Sequence, residues 1–205
     1  MQSLKRQKIE PGVLIIVSAP SGCGKSTVVR ALMERRDKLR FSVSATTRAP
    51  REGETDGVDY FFVSRERFRQ MIDEGAFLEH AEYVGNCYGT PRAPVEQQLA
   101  EGYDVYLDID VQGAMQVKAL RPETLMIFLM PPSMEELERR LTKRGTNSPE
   151  EVRARLEAAE REFAYRDRFD HVVVNDVVDR AVEEISQLID AQKRKLKTTT
   201  KKNSK

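Results

Sequence analysis

The residues best equipped for chemistry are Ala19-Pro20-Ser21-Gly22-Cys23-Gly24-Lys25-Ser26-Thr27, which follow an apolar run from Val13 to Val17. Glycines at 22 and 24 reach backbone angles that strain other residues, so successive N–H groups can turn inward around an anion. Lys25 adds a mobile positive charge for β- and γ-phosphates, and the Ser26 hydroxyl is placed to ligate Mg²⁺. Ala19 stands where the full phosphate-loop motif has its first glycine, which leaves a ligand-free strand-to-helix turn as the alternative. The strand before and the helix after favour phosphate, because a helix N-terminus points partial positive charge at the same anion.

Three further groupings carry charge at informative spacings. Arg48 and Arg51 flank Pro50, so they cannot share one helix and converge only if an extended loop curls around an anion. Solvent-facing charge is the alternative. Asp108 and Asp110 close an apolar strand and, two residues apart, face the same way. A Walker-B-type carboxylate belongs at such a strand end, beside the phosphate loop. The pair repels unless a cation or donor-rich ligand lies between, although plain strand-end capping is also open. Arg140 and Arg144, at i and i+4, repel each other unless a polyanion lies beneath them or Glu136 neutralises them locally.

Other residues are less informative. His80 and His171 lack companions at ligand spacing, so metal and triad chemistry get little support. Cys23 and Cys87 provide no disulfide framework and are expected to be free thiols. Cys23, beside a helix start and Lys25, is a candidate for a lowered pKa and oxidation sensitivity, with a passive small residue as the simpler account.

The elements that must position these groups alternate. Strands are expected at 13–18, 59–63, 103–110, 124–130 and 171–176, with helices at 24–36, 64–75, 93–101, 111–120, from Ser133 to Gly145, from Ser148 to about Asp167, and 178–192. Residues 85–91 read as a turn-rich connection. Alternation with a loop at the first strand's end predicts an α/β fold, a parallel sheet flanked by helices. Residues 44–92 lack the long helices around them and look like an inserted lobe of strands. The chain of 205 residues, 40% apolar and 33% charged, suits one soluble domain with mobile parts.

Net charge is +1, but Lys193, Arg194, Lys195, Lys197, Lys201, Lys202 and Lys205 form an end without acids, which leaves the rest mildly acidic. Specific nucleic-acid binding is therefore not expected. The basic end, 193–205, is expected to be disordered, and residues 1–11 to be a flexible lead-in. No apolar signal segment and no uncharged stretch near ~20 residues is found, which predicts a cytoplasmic protein without a membrane anchor.

Ser44-Ala45-Thr46-Thr47-Arg48-Ala49-Pro50-Arg51, then Tyr60, Phe-Leu-Glu79, Tyr88-Gly89-Thr90, Leu-Asp108-Ile-Asp110-Val-Gln-Gly and Arg144-Gly145-Thr, resemble the guanylate kinase family over residues 12–192. The resemblance implies a P-loop nucleoside-monophosphate kinase fold with a core (12–43, 93–132, 168–192), a GMP-binding lobe (44–92) and a helical lid (133–167). It implies Mg²⁺-dependent transfer of the ATP γ-phosphoryl group to GMP, giving ADP and GDP in purine metabolism, and leaves dGMP acceptance and oligomeric state open.

Carried over by motif, Arg48, Arg51, Tyr60 and Tyr88 look like a clamp on the GMP phosphate, with Ser44, Glu79, Thr90 and Asp110 around guanine. Residues 19–27 would hold ATP phosphates, Asn175 and Asp176 would lie near adenine, and Arg140, Arg144 and Arg155 would reach the transferring group from the lid. Ser26 would ligate the metal and Asp108 would stand behind it. The base chemistry agrees: guanine N1–H and N2–H donate together to one carboxylate, whereas adenine N1 would leave a buried Glu79 facing a lone pair. Two rivals are a non-catalytic scaffold module, which would tend to lose Lys25, Ser26, Asp108 and the lid arginines, and a kinase for another nucleotide, which Glu79 with Ser44 argues against.

Overall fold

The computed structural model describes residues 10–143 and 148–203. Its centre is β1, Leu14–Ser18, buried along its whole length. Alternate residues of this run serve opposite faces, as a strand covered on both sides requires. Val13, Ile15 and Val17 pack with α1 (Lys25–Arg35) and α7 (Val178–Asn203), while Leu14 and Ile16 pack with α3 (Arg92–Ala100) and α4 (Val111–Leu120). The parallel sheet has the order β2–β7–β1–β8–β9, with β2 at Leu39–Phe41, β7 at Asp104–Leu107, β8 at Leu125–Met130 and β9 at His171–Val174. Leu107 pairs with Ile16, so Asp108 leaves the sheet beside the loop that follows β1.

The lobe is a second sheet, β4–β3–β6–β5, built from β3 (Ala45–Thr46), β4 (Phe61–Phe62), β5 (Phe77–Tyr83) and β6 (Asn86–Pro91), with α2 (Arg65–Asp73) packed on it. Its core is small: Ala45, Phe68 and Phe77 are the buried members, the two rings 4.6 Å apart. Here the expected turn-rich connection over 85–91 is corrected. Residues 86–91 form β6, antiparallel to both β5 and β3, and the turn is Val84-Gly85 alone, both with positive φ (47° and 70°). Gly89 and Thr90 read as loop residues, but they are buried ladder positions where small size is needed: a Cβ at Gly89 would lie 2.9 Å from the Phe77 ring.

Where the lid was expected, α5 (Met134–Lys143) and α6 (Pro149–Phe163) enclose Cys23 with Leu137, Leu141, Val152 and Ala159. Ser148 and Glu151 form a reciprocal capping box at the start of α6. At Ser133 the box is one-sided, since its hydroxyl accepts from the Glu136 N–H (3.2 Å) while the Glu136 carboxylate is taken by Arg139 and Arg140. α6 stops at Phe163, and a short 3₁₀ turn, Arg166–Arg168, follows where helix was expected to Asp167.

The basic end departs most from expectation. α7 does not end at Gln192 but continues to Asn203, so the predicted disorder from 193 does not hold over that stretch. Lys193 reaches the buried Asp104 carboxylate at 2.8 Å, Lys197 pairs with Glu10, and Leu196 packs on the core. Lysine, arginine and leucine are good helix formers, and a buried counter-charge supplies what their own repulsion removes. Asp104 also accepts from the Val13 N–H (3.0 Å) and meets Arg36, which in turn binds Asp190. Among the described residues no helix is long and apolar enough to cross a membrane.

Candidate active site

The loop between β1 and α1 has the curvature its glycines predict. Gly22 and Gly24 have φ of 93° and 88°, and a Cβ on Gly24 would lie 2.5 Å from the Asn175 amide nitrogen. Asn175 is buried, and its side chain donates to the Cys23 carbonyl at 2.8 Å. Arg140 donates to the same carbonyl (3.4 Å) and to the Asn175 carbonyl (2.9 Å), and Arg155 donates to Ser21 Oγ (3.1 Å). The loop is thus braced from behind by the strand end after β9 and by the lid. In front of it lies a cavity of about 470 Å³, lined by residues 18–22, 24–27 and 108–111 and by Glu162.

Lys25 Nζ donates to Asp108 Oδ1 at 2.5 Å, and the same oxygen accepts from the buried Tyr106 hydroxyl at 3.0 Å. Burial first, and then Asp108, pushes the Tyr106 phenol upward in pKa, so it stays a donor. Asp110 turns to another task while lining the same cavity. It is the N-cap of α4 and accepts from the Gly113 N–H at 2.8 Å. A second cavity, of about 510 Å³, meets the first at Lys25, Ser26 and Asp108 and extends under Phe41 and Tyr106.

Cys23 behaves as the passive alternative had it. Its thiol is fully buried, and burial pushes it up to about 12 against the smaller pull of Arg140, the opposite of an activated thiol. Glu136 explains how Arg139 and Arg140 coexist: hydrogen bonds from Arg139 first and Arg140 next bring its carboxyl down to about 2, whereas the expected pairing of Arg140 with Arg144 lies outside the described residues.

Across the cleft, Glu79 on β5 is paired with Thr90 on β6 and accepts from its hydroxyl at 2.6 Å. It is 7% exposed. A Cβ on Gly113 would lie 3.0 Å from its Oε2, so the first turn of α4 backs onto this carboxylate. Burial raises its pKa above the usual carboxylate range, opposed by the Thr90 hydrogen bond and reinforced by Asp110.

Arg48 donates to Glu54 Oε1 (2.7 Å), bonds Tyr88, and stacks over Tyr60 with 5.4 Å from its guanidinium carbon to the ring centroid. The other oxygen of Glu54 accepts from the Arg51 N–H (2.7 Å), and Arg48 holds the Glu54 carboxyl below its ordinary range. Arg48, Tyr60 and Tyr88 are therefore brought together, with Arg51 tied in through its backbone. Ser44 borders the same lobe, its carbonyl accepting from the Phe61 N–H (2.8 Å).

The family model for guanylate kinase matches residues 12–192 of this chain. The guanylate kinase of Caldanaerobacter subterraneus subsp. tengcongensis is 51% identical over 191 residues, covering 93% of this chain and 91% of that one. The guanylate kinase of Thermus thermophilus is 53% identical over 184 residues, covering 90% of this chain and 83% of its own. Among solved structures, the crystal structure of guanylate kinase from Anaplasma phagocytophilum aligns with a TM-score of 0.68 at 38% identity, over 90% of this chain and 87% of that one.

The chain belongs to the guanylate kinase family. Its activity is that of a nucleoside monophosphate kinase, an ATP:GMP phosphotransferase, on the fold the alternation of elements predicted.

The residues expected from sequence fall into two groups, one around the loop after β1 and one in the lobe, with three qualifications. Arg144 lies outside the described residues. Asn175 has its amide committed to the Cys23 carbonyl, and Asp176 is exposed, paired with Arg180 and accepting from the Val177 N–H just before α7. Sequence reasoning missed Glu54, Tyr106 and Glu162. Tyr106 stands on β7 two residues before Asp108, a spacing that could have flagged it, whereas nothing in the sequence places Glu54 on Arg48 or Glu162 over the loop.

Proposed function

We propose that the cleft performs in-line transfer from ATP, bound with Mg²⁺ at residues 19–27, to GMP held by Arg48, Arg51, Tyr60 and Tyr88. The observation that carries this is Glu79, a buried carboxylate whose hydroxyl partner Thr90 leaves its second oxygen facing α4. It is suited to the two adjacent donors of guanine, with Asp110 close enough to act on its charge and Ser44 immediately before β3 to meet the base from the lobe. A base with an acceptor at that place would leave the carboxylate unpaired.

The residues present fit a magnesium ion. Ser26 and the Asp108 carboxylate are hard oxygen donors, and among the described residues no group of three or more acidic, histidine or cysteine side chains forms a dedicated metal cage. Mg²⁺ suits that arrangement, because it usually keeps water and substrate phosphates as most of its ligands. When bound, it would neutralise polyphosphate charge and fix its orientation.

No general base is required, since the attacking phosphate oxygen of GMP is already ionised near neutral pH. The chain's work is alignment and charge compensation between two anions. Lys25 leaves Asp108 for the transferring phosphoryl group, Arg140 and Arg155 approach with the lid, and Arg48 exchanges Glu54 for the acceptor phosphate. Closure of lobe and lid excludes water that would otherwise take the phosphoryl group. An assay of ADP release with GMP, AMP, CMP and UMP tests this reading: turnover should be confined to GMP, and equal turnover with AMP would overturn the role of Glu79.

A further inference from the structure

One ionisable side chain in the phosphate cavity has no task in this scheme. Glu162 lies near the end of α6, partly buried, and lines the cavity with the loop, Asp108 and Asp110. Arg155, two turns earlier on the same helix face, reaches Ser21, so this face of α6 is turned onto the loop. The charges that Glu162 meets are Lys25, Asp110 and its neighbour Arg161, and its own charge reaches Cys23 behind the loop. Burial and Asp110 both weigh against that charge.

The three carboxylates around the cavity differ in what compensates them. Asp108 has Lys25 and the Tyr106 hydroxyl, and Asp110 has the first N–H groups of α4. Among the described residues no cation lies within ion-pair distance of Glu162. A bare polyphosphate would bring concentrated negative charge against it, whereas a polyphosphate already carrying a divalent cation would bring much less. Arg140 and Arg155 attract both forms and cannot distinguish them. We propose that Glu162 makes the cavity select ATP that arrives with its divalent cation over the uncomplexed nucleotide.

This inference rests on the reading of the cavity as the ATP site, and the test separates the two. Titration calorimetry on the full chain, with ATP in a chelator and with ATP in excess Mg²⁺, gives the preference of the parent protein for the complexed form. Glu162→Gln should lower that preference by about fivefold or more, chiefly by tightening uncomplexed ATP, since one uncompensated charge has been removed. Glu162→Asp should keep the preference. A preference within about twofold of the parent in Glu162→Gln, or the same loss in Glu162→Asp, would overturn the inference. Binding of ATP in neither form by the parent protein would instead remove the ATP reading itself. Unchanged GMP binding in Glu162→Gln shows that the variant is folded.

Discussion

The donor side and the acceptor side of the cleft solve the same problem with different support. Each holds a phosphate-seeking cation on a carboxylate, Lys25 on Asp108 and Arg48 on Glu54, at 2.5 and 2.7 Å. The donor side grows from β1, which is buried throughout, and its loop is fastened from behind by Asn175 and Arg140. The acceptor side stands on a four-stranded sheet whose β3 and β4 are only two residues each, over a core of three buried side chains. A loop with so many fixed contacts cannot adjust cheaply, whereas a lobe with so few can move as a unit. Under the proposed function, the difference implies a donor site that is preorganised and an acceptor site that is brought to it.

The sharpest way to break this contrast is at Lys25. Lys25→Ala should lower kcat by a factor on the order of 10³ with the GMP KM little changed, since the missing charge acts on the transferring group. Steady-state kinetics would show the reverse split if Lys25 served acceptor binding instead. The rigidity of the donor side is tested at Asp104, which is fully buried and shared by Lys193, Arg36 and the Val13 N–H. Asp104→Ala should cost about 3–5 kcal/mol by denaturant unfolding, because Lys193 loses its counter-charge and the buried Val13 N–H its acceptor, while Arg36 keeps Asp190. A loss below about 1 kcal/mol would mean that solvent already compensates them.

Glu79 tests the acceptor side. Glu79→Gln should reduce kcat/KM for GMP roughly 10²-fold or more, because an amide donor would meet the guanine donors, while ATP binding stays intact. Its pH dependence has a definite sign. Empty Glu79 has a raised pKa, and guanine donors would favour its ionised form, so GMP binding expels a proton and tightens as pH rises through the Glu79 titration. That slope should vanish in Glu79→Gln, and its persistence there would place the proton elsewhere. The smallest effect is at Val84, a β-branched residue at φ 47° in the exposed turn between β5 and β6. Val84→Asn should stabilise by about 1 kcal/mol, read as a rise in Tm, and no change would mean that the lobe melts before the turn matters.

What was legible in the sequence follows the same contrast. β1, its glycine loop and α1 are written in consecutive residues, an apolar run, two glycines and a lysine, so local physics suffices. The alternation that follows likewise predicted the parallel sheet. β6 was hidden because Asn86, Gly89 and Pro91 are turn formers whose strand state depends on partners in β5 and β3. α7 beyond Gln192 was hidden because its support is Asp104, nearly ninety residues away, and an acid-free run of lysines looks solvated until that carboxylate is found. Of the site, residues tied to a motif could be named, while Glu54 and Glu162 act through approaches that only the folded chain creates.

The attachment of Lys193 to Asp104 has a practical side. The stretch shared with the family model ends at residue 192, one position short of this lysine, so trimming the protein to its recognisable domain would discard the ion that keeps an interior acid content. Asp104 opens the same four-residue strand from whose far end Asp108 emerges. A version ending at residue 192 would leave that acid with only Arg36 and the Val13 N–H at the root of the strand that leads to the cavity.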